Sequence, residues 1–207
     1  MPRRRRVVEV RLTRWTHSCV RIERDGRVLV VDPGVWSEPR ALAGADAALL
    51  THAHADHADV LRLRGLGVPV FAPADAQLPD LDVTAVRAGQ TFTAAGFTVR
   101  AVGGVHAAVL PDQPASPNLG YVVDDAVYHP GDALTLPDVA IDTVLVPLQA
   151  SWLKTSEAVE FVRAVAAERA IGIHDAQVNE RALTSLNHWL AEYGGTDYRW
   201  LAPGTTA

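Results

Sequence analysis

Residues 51–57, THAHADH, constrain this chain more than any other stretch. They place three histidines and one aspartate within six positions, at His52, His54, Asp56 and His57. Imidazole and carboxylate groups are side chains with which proteins hold divalent transition metals. The apolar run DAALL at 46–50 comes directly before them, and its composition predicts a buried strand. The sequence therefore predicts a metal site in a loop at the end of a strand.

The spacing of these side chains divides them into two pairs. In an extended loop, side chains at i and i+2 point the same way, so His52 and His54 can bind one ion together. Asp56 is the next residue on that side, and His57 points elsewhere. One tetrahedral site cannot use all four ligands and stay open, so we predict two divalent ions, Zn²⁺ with Mn²⁺ or Fe²⁺ as alternatives. A solvated polar loop, or one that binds metal adventitiously, is the alternative explanation.

Each pair of ligands needs completion, which predicts further histidines and acidic residues at the ends of later strands. His106 ends the strand-like segment VRAVGGVH, Asp132 follows YHPG, and His174 ends AIGIH. All three lie at a boundary between a strand and a loop, where side chains from separate strands can converge. These residues are therefore candidates to complete the metal site.

Hydrophobic alternation and turn residues predict strands in both halves of the chain, each half followed by helices. The predicted strands cover residues 7–12, 19–24, 27–32, 46–50, 69–72, 91–102, 119–125, 126–130, 142–147 and 170–174. The predicted helices cover residues 58–65, 156–169 and 181–195, and the proline-rich segment 103–118 is predicted to be a loop. Asp25-Gly26 predicts a hairpin. The pattern as a whole predicts an α/β chain of one domain, 1–207, with two sheets face to face and helices outside.

The charge balance limits the partners of this chain. With 24 acidic and 19 basic residues, its net charge of −5 does not favour a partner bound by phosphate neutralisation. The only basic run, residues 3–6, is predicted to be a solvated terminus, with a nucleic-acid-binding arm as the alternative. No apolar export segment follows it, and no stretch approaches the ~20 apolar residues of a membrane span. Together with the single cysteine, Cys19, these features predict a cytoplasmic protein with a small-molecule substrate and no nucleic-acid or membrane partner.

These motifs together resemble the metallo-β-lactamase superfamily. The HxHxDH signature is present at 52–57, and the family's later single histidine, Gly-Asp pair and terminal histidine match His106, Gly131-Asp132 and His174. The aspartate that ends a strand in the family's first motif matches Asp32 in VVDPG. The resemblance implies a four-layer αβ/βα sandwich with two metal ions in the cleft between its sheets.

The resemblance also implies a role for each matched residue. The ligands of the first ion would be His52, His54 and His106, and those of the second ion Asp56, His57 and His174. Asp132 would bridge the two ions. Asp32 would support the ligands without binding metal. The position of His129 directly before Pro-Gly-Asp separately predicts a supporting role for that residue, with direct metal binding as the alternative.

The N-terminal part resembles one branch of that superfamily, which includes the ascorbate-6-phosphate lactonases. That branch carries a GHA or GHS motif before an LIDP strand, and here Thr16-His17-Ser18 precedes VLVVDP. The chain departs from the branch at Thr16, Ala133 and Asp175, which leaves the substrate open. The resemblance implies that His17 faces the substrate or shuttles a proton, with a structural histidine on a strand as the alternative.

The activity that these residues predict is hydrolysis. A hydroxide that bridges two divalent ions is a nucleophile near neutral pH, and the sequence has no GxSxG motif to supply a serine instead. Asp132 and His17 are the catalytic candidates, since either can relay a proton. The resemblance implies a small ester or lactone as the substrate. A phosphodiesterase on the same site and a non-catalytic metal-binding or sensor protein are the alternatives.

Three residues in predicted loops are candidates for contact with the substrate. Trp36 and Trp152 lie in loops 34–40 and 149–155, which are expected to line the pocket, with simple anchoring of their loops as the alternative. Asn118 could offer its amide to an anionic intermediate, with formation of a turn as the alternative.

Overall fold

The computed structural model describes residues 10–207 and contains two seven-stranded β-sheets. The first sheet contains β1 (Arg11–Arg14), β2 (Val20–Arg24), β3 (Arg27–Val31), β4 (Ala47–Leu49), β5 (Val70–Pro73), β6 (Thr84–Val86) and β14 (Thr205–Thr206), in the spatial order β14-β1-β2-β3-β4-β5-β6. The second contains β7 (Thr91–Ala94), β8 (Phe97–Val105), β9 (Pro117–Val123), β10 (Val127–His129), β11 (Thr143–Pro147), β12 (Arg169–Ile173) and β13 (Asp197–Arg199), in the order β13-β12-β11-β10-β9-β8-β7. The arginine run at 3–6 and the start of the predicted first strand lie outside the described residues.

Side chains from the facing sides of the two sheets form the main core. Ile22 and Leu29 of the first sheet belong to the same buried cluster as Val99, Tyr121 and Leu145 of the second. Each fully buried aliphatic side chain contributes about 1.5–3 kcal/mol to folding. This core fixes the distance between the sheets, and with it the width of the cleft at their ends.

The helices cover the outer faces of the sheets. They are a 3-10 helix at Pro39–Leu42, α1 (Val60–Arg64), α2 (Thr155–Val165) and α3 (Glu180–Tyr193). On the first sheet, Leu63 of α1 packs in a cluster with Val70. On the second sheet, Phe161 of α2 packs in a cluster with Val144. The order of layers confirms the predicted αβ/βα sandwich.

Each sheet changes from antiparallel to parallel pairing partway across. In the first sheet, β1 to β3 are antiparallel and β3 to β6 parallel. The predicted hairpin between β2 and β3 is confirmed, with Asp25 and Gly26 at φ of 51° and 74°. In the second sheet, β7 to β10 are antiparallel and β10 to β13 parallel. Because parallel strands end at the same edge, the loops after β3 and β4, and those after β10 and β12, lie at one end of the sandwich.

Several elements differ from the predicted ones. The strands β6, β13 and β14 were not expected, because they have two or three residues each and mostly exposed side chains. The loop predicted at 103–118 is shorter, since β8 continues to Val105 and β9 begins at Pro117. The end of β8 was predicted as part of the loop because it contains Gly103 and Gly104, which have φ of 85° and 149°.

Within residues 10–207, no helix combines the length and the apolar composition that a membrane crossing needs.

Candidate metal centre

The THAHADH segment folds as a series of turns and bends rather than as the predicted extended loop. The backbone N–H groups of His57 and Ala58 both donate to the carbonyl oxygen of His54, at 3.0 and 2.9 Å. The segment also lies against the chain that follows β3. Gly34 makes this approach possible, because a Cβ at its position would overlap the carbonyl oxygen of Asp56. Despite this difference, the metal-binding side chains divide into the predicted pairs.

The first group of candidate ligands contains His52, His54 and His106. One ring nitrogen of each lies within 4.8 Å of those of the other two. The ring centroids are 4.6 Å apart for His52 and His54, and each of these rings is 5.0 Å from that of His106. The first two residues follow β4 of the first sheet, and His106 follows β8 of the second. The structure thus brings together the three residues predicted for the first ion.

The second group contains Asp56, His57 and His174 and, in addition, His17. Each offers a ligand atom within 4.8 Å of those of the others. The ring of His17 lies 3.9 Å from that of His174, measured between centroids. The residues predicted for the second ion are therefore together, and His17 is a fourth possible ligand that was not predicted as one.

Asp132 lies between the two groups. Its Oδ1 is 3.2 Å from Nε2 of His57, and its Oδ2 is 3.2 Å from Nε2 of His174 and 3.5 Å from Nε2 of His106. The indole N–H of Trp152 donates to the same Oδ2 at 3.2 Å. A carboxylate in this position is within reach of ligands from both groups, as a bridging ligand must be.

The buried histidines are oriented by oxygen acceptors at their Nδ1 atoms. His57 Nδ1 is 2.7 Å from Asp32 Oδ2, His106 Nδ1 is 2.6 Å from the carbonyl oxygen of Ala107, and His174 Nδ1 is bonded to the carbonyl oxygen of Gln149. Because carbonyl and carboxylate oxygens only accept, Nδ1 carries a hydrogen in these three rings, and in the neutral form of each ring Nε2 keeps a lone pair that can bind metal.

The Nε2 atoms of the four buried ring ligands provide a direct test of whether a cation fits. Within residues 10–207, the Nε2 atoms of His52, His57, His106 and His174 are buried and have no hydrogen-bond partner. Buried polar atoms are normally satisfied. Unpartnered lone pairs beside one carboxylate therefore fit bound divalent metal.

Asp32 organises the segment without reaching the ligand atoms. It is buried at φ 50°, and its Oδ1 accepts the backbone N–H of Thr51 at 2.8 Å. Its Oδ2 accepts both the Thr51 hydroxyl and His57 Nδ1, each at 2.7 Å. Since the Thr51 hydroxyl donates its hydrogen to Asp32, it accepts from His52 Nδ1, 3.0 Å away. One carboxylate thus fixes a ring from each group.

His129 lies behind Asp32, with its Nε2 3.8 Å from Asp32 Oδ2. Its Nδ1 accepts the N–H of Gly131 at 3.1 Å, so Nε2 carries the hydrogen and donates to the carbonyl oxygen of Ser18 at 2.8 Å. Burial lowers the pKa of this ring. Both nitrogens are occupied, which agrees with the predicted supporting position and not with the alternative of direct metal binding.

The charges of the centre favour a bound cation. Burial opposes protonation of His57, but the carboxylates of Asp132 and Asp32 outweigh it and raise its pKa well above the ordinary value. Burial likewise opposes ionisation of Asp132, but His57, His106 and His174 hold its pKa well below the ordinary range. Burial lowers the pKa of His52 well below its usual value. The carboxylate of Asp132 therefore remains ionised and attracts positive charge, which a metal ion supplies while leaving the rings unprotonated.

His17 is buried and contacts Asp56. Its Nδ1 accepts the N–H of Ala176 at 3.4 Å, so the hydrogen is on Nε2, which is 3.2 Å from Asp56 Oδ2. Burial lowers the pKa of His17, which keeps the ring neutral. Burial raises the pKa of Asp56, but the hydrogen bond from His17 and the charges of the neighbouring His57 and His17 together outweigh it and lower the value to about 2. His17 is thus tied to a ligand of the second group.

The two tryptophans predicted to contact substrate lie beside the centre. Trp36 is 42% exposed, and its ring packs edge-on against His17 with centroids 4.8 Å apart. Trp152 is partly buried and lies 6.3 Å from the ring of His106. The two indoles therefore flank different groups of ligands.

The prediction that Asn118 contacts the substrate is not supported. The residue is 1% exposed, and both ends of its amide bond to backbone. Its Nδ2 donates to the carbonyl oxygen of Pro130 at 3.0 Å, and its Oδ1 accepts the N–H of Asp132 at 2.9 Å. Asn118 therefore stabilises the turn that carries Asp132. Its position in the paired strand β9 directs its side chain to that turn.

Sequence reasoning missed two residues that orient the rings. Thr51 links Asp32 to His52, and the carbonyl oxygen of Gln149 accepts from His174. The position of Thr51 directly before the motif was a usable signal. Any residue type offers a backbone carbonyl, so the sequence carried no signal for Gln149.

A family profile described as a beta-lactamase superfamily domain matches residues 11–174, which include every predicted metal ligand. Protein Rv0786c of Mycobacterium tuberculosis is 38% identical over 204 residues, which cover 93% of this chain and 96% of that protein. A Myxococcus xanthus protein named as a UPF0173 metal-dependent hydrolase is 27% identical over 194 residues, which cover 79% of this chain and 69% of that protein.

Solved structures share the fold. Igni18, described as a metallo hydrolase from the archaeon Ignicoccus hospitalis, matches with a TM-score of 0.75 at 20% identity and covers 96% of this chain and 97% of its own. The metallo-beta-lactamase fold protein YhfI of Bacillus subtilis matches with a TM-score of 0.70 at 14% identity, over 96% of this chain and 98% of its own. At these identities the likeness concerns the fold.

Proposed function

Because the chain belongs to the metallo-β-lactamase superfamily and is a metal-dependent hydrolase of that superfamily, we propose that it hydrolyses a small ester or lactone at a centre of two divalent ions. The observation that carries the proposal is the convergence of four unpartnered, buried Nε2 atoms beside the carboxylate of Asp132. Two groups of ligands that share one carboxylate support two ions rather than one.

Each side chain of the centre has a proposed part. The residues that would hold one ion are His52, His54 and His106, those that would hold the other are Asp56, His57 and His174, and Asp132 would contact both. When bound, two adjacent ions lower the pKa of water to about 7 and so supply a hydroxide nucleophile. Zn²⁺ suits this mixture of imidazole and carboxylate, with Mn²⁺ or Fe²⁺ as alternatives.

Two side chains can hold or move protons during hydrolysis. Asp132 presents both carboxylate oxygens to the centre, and Trp152 fixes the orientation of Oδ2 through its N–H. His17 is neutral and holds a hydrogen at Nε2, through which it can stabilise the negative charge of a leaving group by a hydrogen bond. Its hydrogen bond to Asp56 would also orient that ligand.

The surroundings of the centre favour an uncharged substrate. Among residues 10–207, the recorded ion-pair partners of Asp56 and Asp132 are histidines, with no lysine or arginine. Exposed apolar side chains lie in the loops beside His17 and His106, at Trp36, Val109 and Leu110. Proteins that recognise phosphate usually present arginine or lysine to it. We therefore rank a small ester or lactone above a phosphodiester, which stays the second candidate.

Elemental analysis combined with a substrate panel tests the proposal. Protein purified without added metal, then loaded with Zn²⁺ or Mn²⁺, is assayed on aryl esters, lactones and bis-aryl phosphodiesters. We expect about two ions per chain and turnover of esters or lactones that is lost in Asp56→Ala and His106→Ala.

Each other outcome selects one of the alternatives. Turnover of the phosphodiesters alone favours the second candidate. Two ions without turnover of any class favours a metal-binding or sensor protein. Less than one ion per chain after loading contradicts the two-ion centre itself.

A further inference from the structure

We propose that a buried ion pair between Arg14 and Asp175, closed by Trp200, positions His17 and His174 in the half of the centre that would take the second ion. The inference rests on the proposed two-ion function and assigns a role to residues outside the predicted ligand set. We call Arg14, Asp175 and Trp200 the Arg14 clamp. They are positioning residues, because they act through the two histidines.

The clamp is a closed network. Arg14 ends β1 with a fully buried side chain, and its Nη2 donates to Oδ1 of Asp175. The other oxygen of Asp175 accepts the indole N–H of Trp200 at 2.7 Å. Arg14 Nη1 donates to the carbonyl oxygen of Leu201 at 3.0 Å, and the guanidinium lies 5.4 Å from the centroid of the Trp200 ring. Because both carboxylate oxygens are occupied, Asp175 serves the network and is not itself a metal ligand.

The clamp joins the two segments that carry His17 and His174. Arg14 precedes His17 by three residues, and Asp175 directly follows His174. Between the same segments, the N–H of His174 donates to the carbonyl oxygen of His17 at 2.9 Å. The clamp and this hydrogen bond therefore act on the same pair of segments.

Backbone conformation explains why these segments need support. His17 and His174 have φ of 66° and 58°, in the left-handed region that side chains other than glycine disfavour. Such conformations persist only where the surrounding structure holds them. The ion pair supplies that hold, because breaking it would leave a buried guanidinium without its counter-charge.

The support is confined to one half of the centre. The orienting contacts recorded for His52 and His106 come from Thr51 and Ala107, which belong to other loops. Asp175 and Trp200 also lie beyond residue 174, where the match to the superfamily domain ends. The loss of the clamp should therefore affect the second ion selectively.

Metal stoichiometry and amide hydrogen exchange test the clamp together. Asp175→Asn keeps the shape of the side chain and removes its charge, and Trp200→Phe is the milder change that removes one hydrogen bond. Metal affinity falls roughly 10–100-fold when groups that orient a ligand are removed. We expect Trp200→Phe to lower the affinity for the second ion about 10-fold, at the low end of that range. We expect Asp175→Asn to retain one ion of two, with the first bound as in wild type.

Asp124→Asn is the matched control. Asp124 pairs with Arg24 and accepts the N–H of Thr98 at 2.9 Å, and Arg24 also donates to a backbone carbonyl oxygen. This network resembles the clamp but lies away from the centre. This variant should keep both ions. If Asp175→Asn does not fold, Trp200→Phe still provides the comparison.

Exchange of the His174 amide, measured on metal-free protein, is the second readout. It should accelerate in Asp175→Asn and Trp200→Phe and not in Asp124→Asn. The inference is overturned if both clamp variants bind two ions with wild-type affinity, or if the control loses the second ion equally. Fewer than two ions in wild-type protein would contradict the proposed function instead. In that case, unchanged exchange of the His174 amide in the clamp variants would separately overturn the positioning role of the clamp.

Discussion

The carboxylate of Asp32 accepts hydrogen bonds from three groups of the metal-binding segment. Two of them belong to Thr51 and one to His57, and through Thr51 the carboxylate also fixes the ring of His52. At residue scale, the protonated nitrogen of each ring decides whether its other nitrogen can bind metal. Asp32 therefore orients two of the predicted metal ligands without contacting their Nε2 atoms.

Asp32→Asn should lower metal affinity about 10–100-fold with little change in the fold. Asparagine tolerates the left-handed backbone at this position, but it offers one acceptor oxygen in place of two. The ring of His57 then loses its acceptor and can place its hydrogen on Nε2, where it blocks the ion. Competitive titration with a chromophoric chelator measures the affinity.

Asp46→Asn is the control for this change, because Asp46 accepts the backbone N–H of Val28 at 2.8 Å at a distant turn. It should bind metal as wild type does. Wild-type affinity in Asp32→Asn as well would show that the tautomer of His57 is fixed by other means.

The sequence was sufficient to predict which candidate ligands lie together, but not the directions of all side chains. The spacing in THAHADH and the strand-end positions of His106 and His174 depend on local pattern, which a sequence displays. Asn118 faces the backbone of Pro130 rather than the cleft because of strand pairing. That pairing is a long-range contact, and no local pattern reports it.

At the scale of elements, strands with clear alternation were predicted, whereas β6, β13 and β14 were not. The predicted strands contain buried, branched residues, as in β3, where four of five residues are buried. The short edge strands form because a neighbouring strand offers unpaired backbone groups. Such pairing depends on the assembled sheet and leaves little trace in the sequence.

One tyrosine connects the two sheets beneath the metal-binding segment. Tyr121 of β9 is fully buried, and its hydroxyl donates at 2.9 Å to the carbonyl oxygen of Leu50, the residue directly after β4. Tyr121→Phe would leave that carbonyl unpaired in the core. We expect unfolding free energy to fall by about 1–3 kcal/mol in urea denaturation.

Tyr193→Phe provides the comparison, because Tyr193 is 43% exposed on α3. Its effect should stay within about 0.5 kcal/mol, as is usual for surface changes. Equal stability of the two variants would mean that the link between the sheets contributes nothing measurable.

At the scale of the whole molecule, the centre is built from both sheets. The segment after β4 supplies His52, His54, Asp56 and His57 from the first sheet, and the second supplies His106, Asp132 and His174. A cation bound among them joins the ends of the sheets. Since the unfolded chain does not assemble these ligands, metal binding adds directly to the stability of the folded state.

Removal of metal should therefore lower the thermal unfolding midpoint. With free metal at a thousandfold excess over Kd, each bound ion stabilises the fold by about 4 kcal/mol, and each kcal/mol corresponds to roughly 2–4 °C for a chain of this size. We expect a chelator to lower the midpoint in calorimetry by roughly 8–16 °C for each ion that it removes. The same chelator should leave the midpoint of an Asp56→Ala, His106→Ala double variant unchanged, because that variant lacks a ligand from each group. An unchanged midpoint in metal-loaded wild-type protein would show that the ends of the sheets are held by the core alone, and that the ion serves the reaction without supporting the fold.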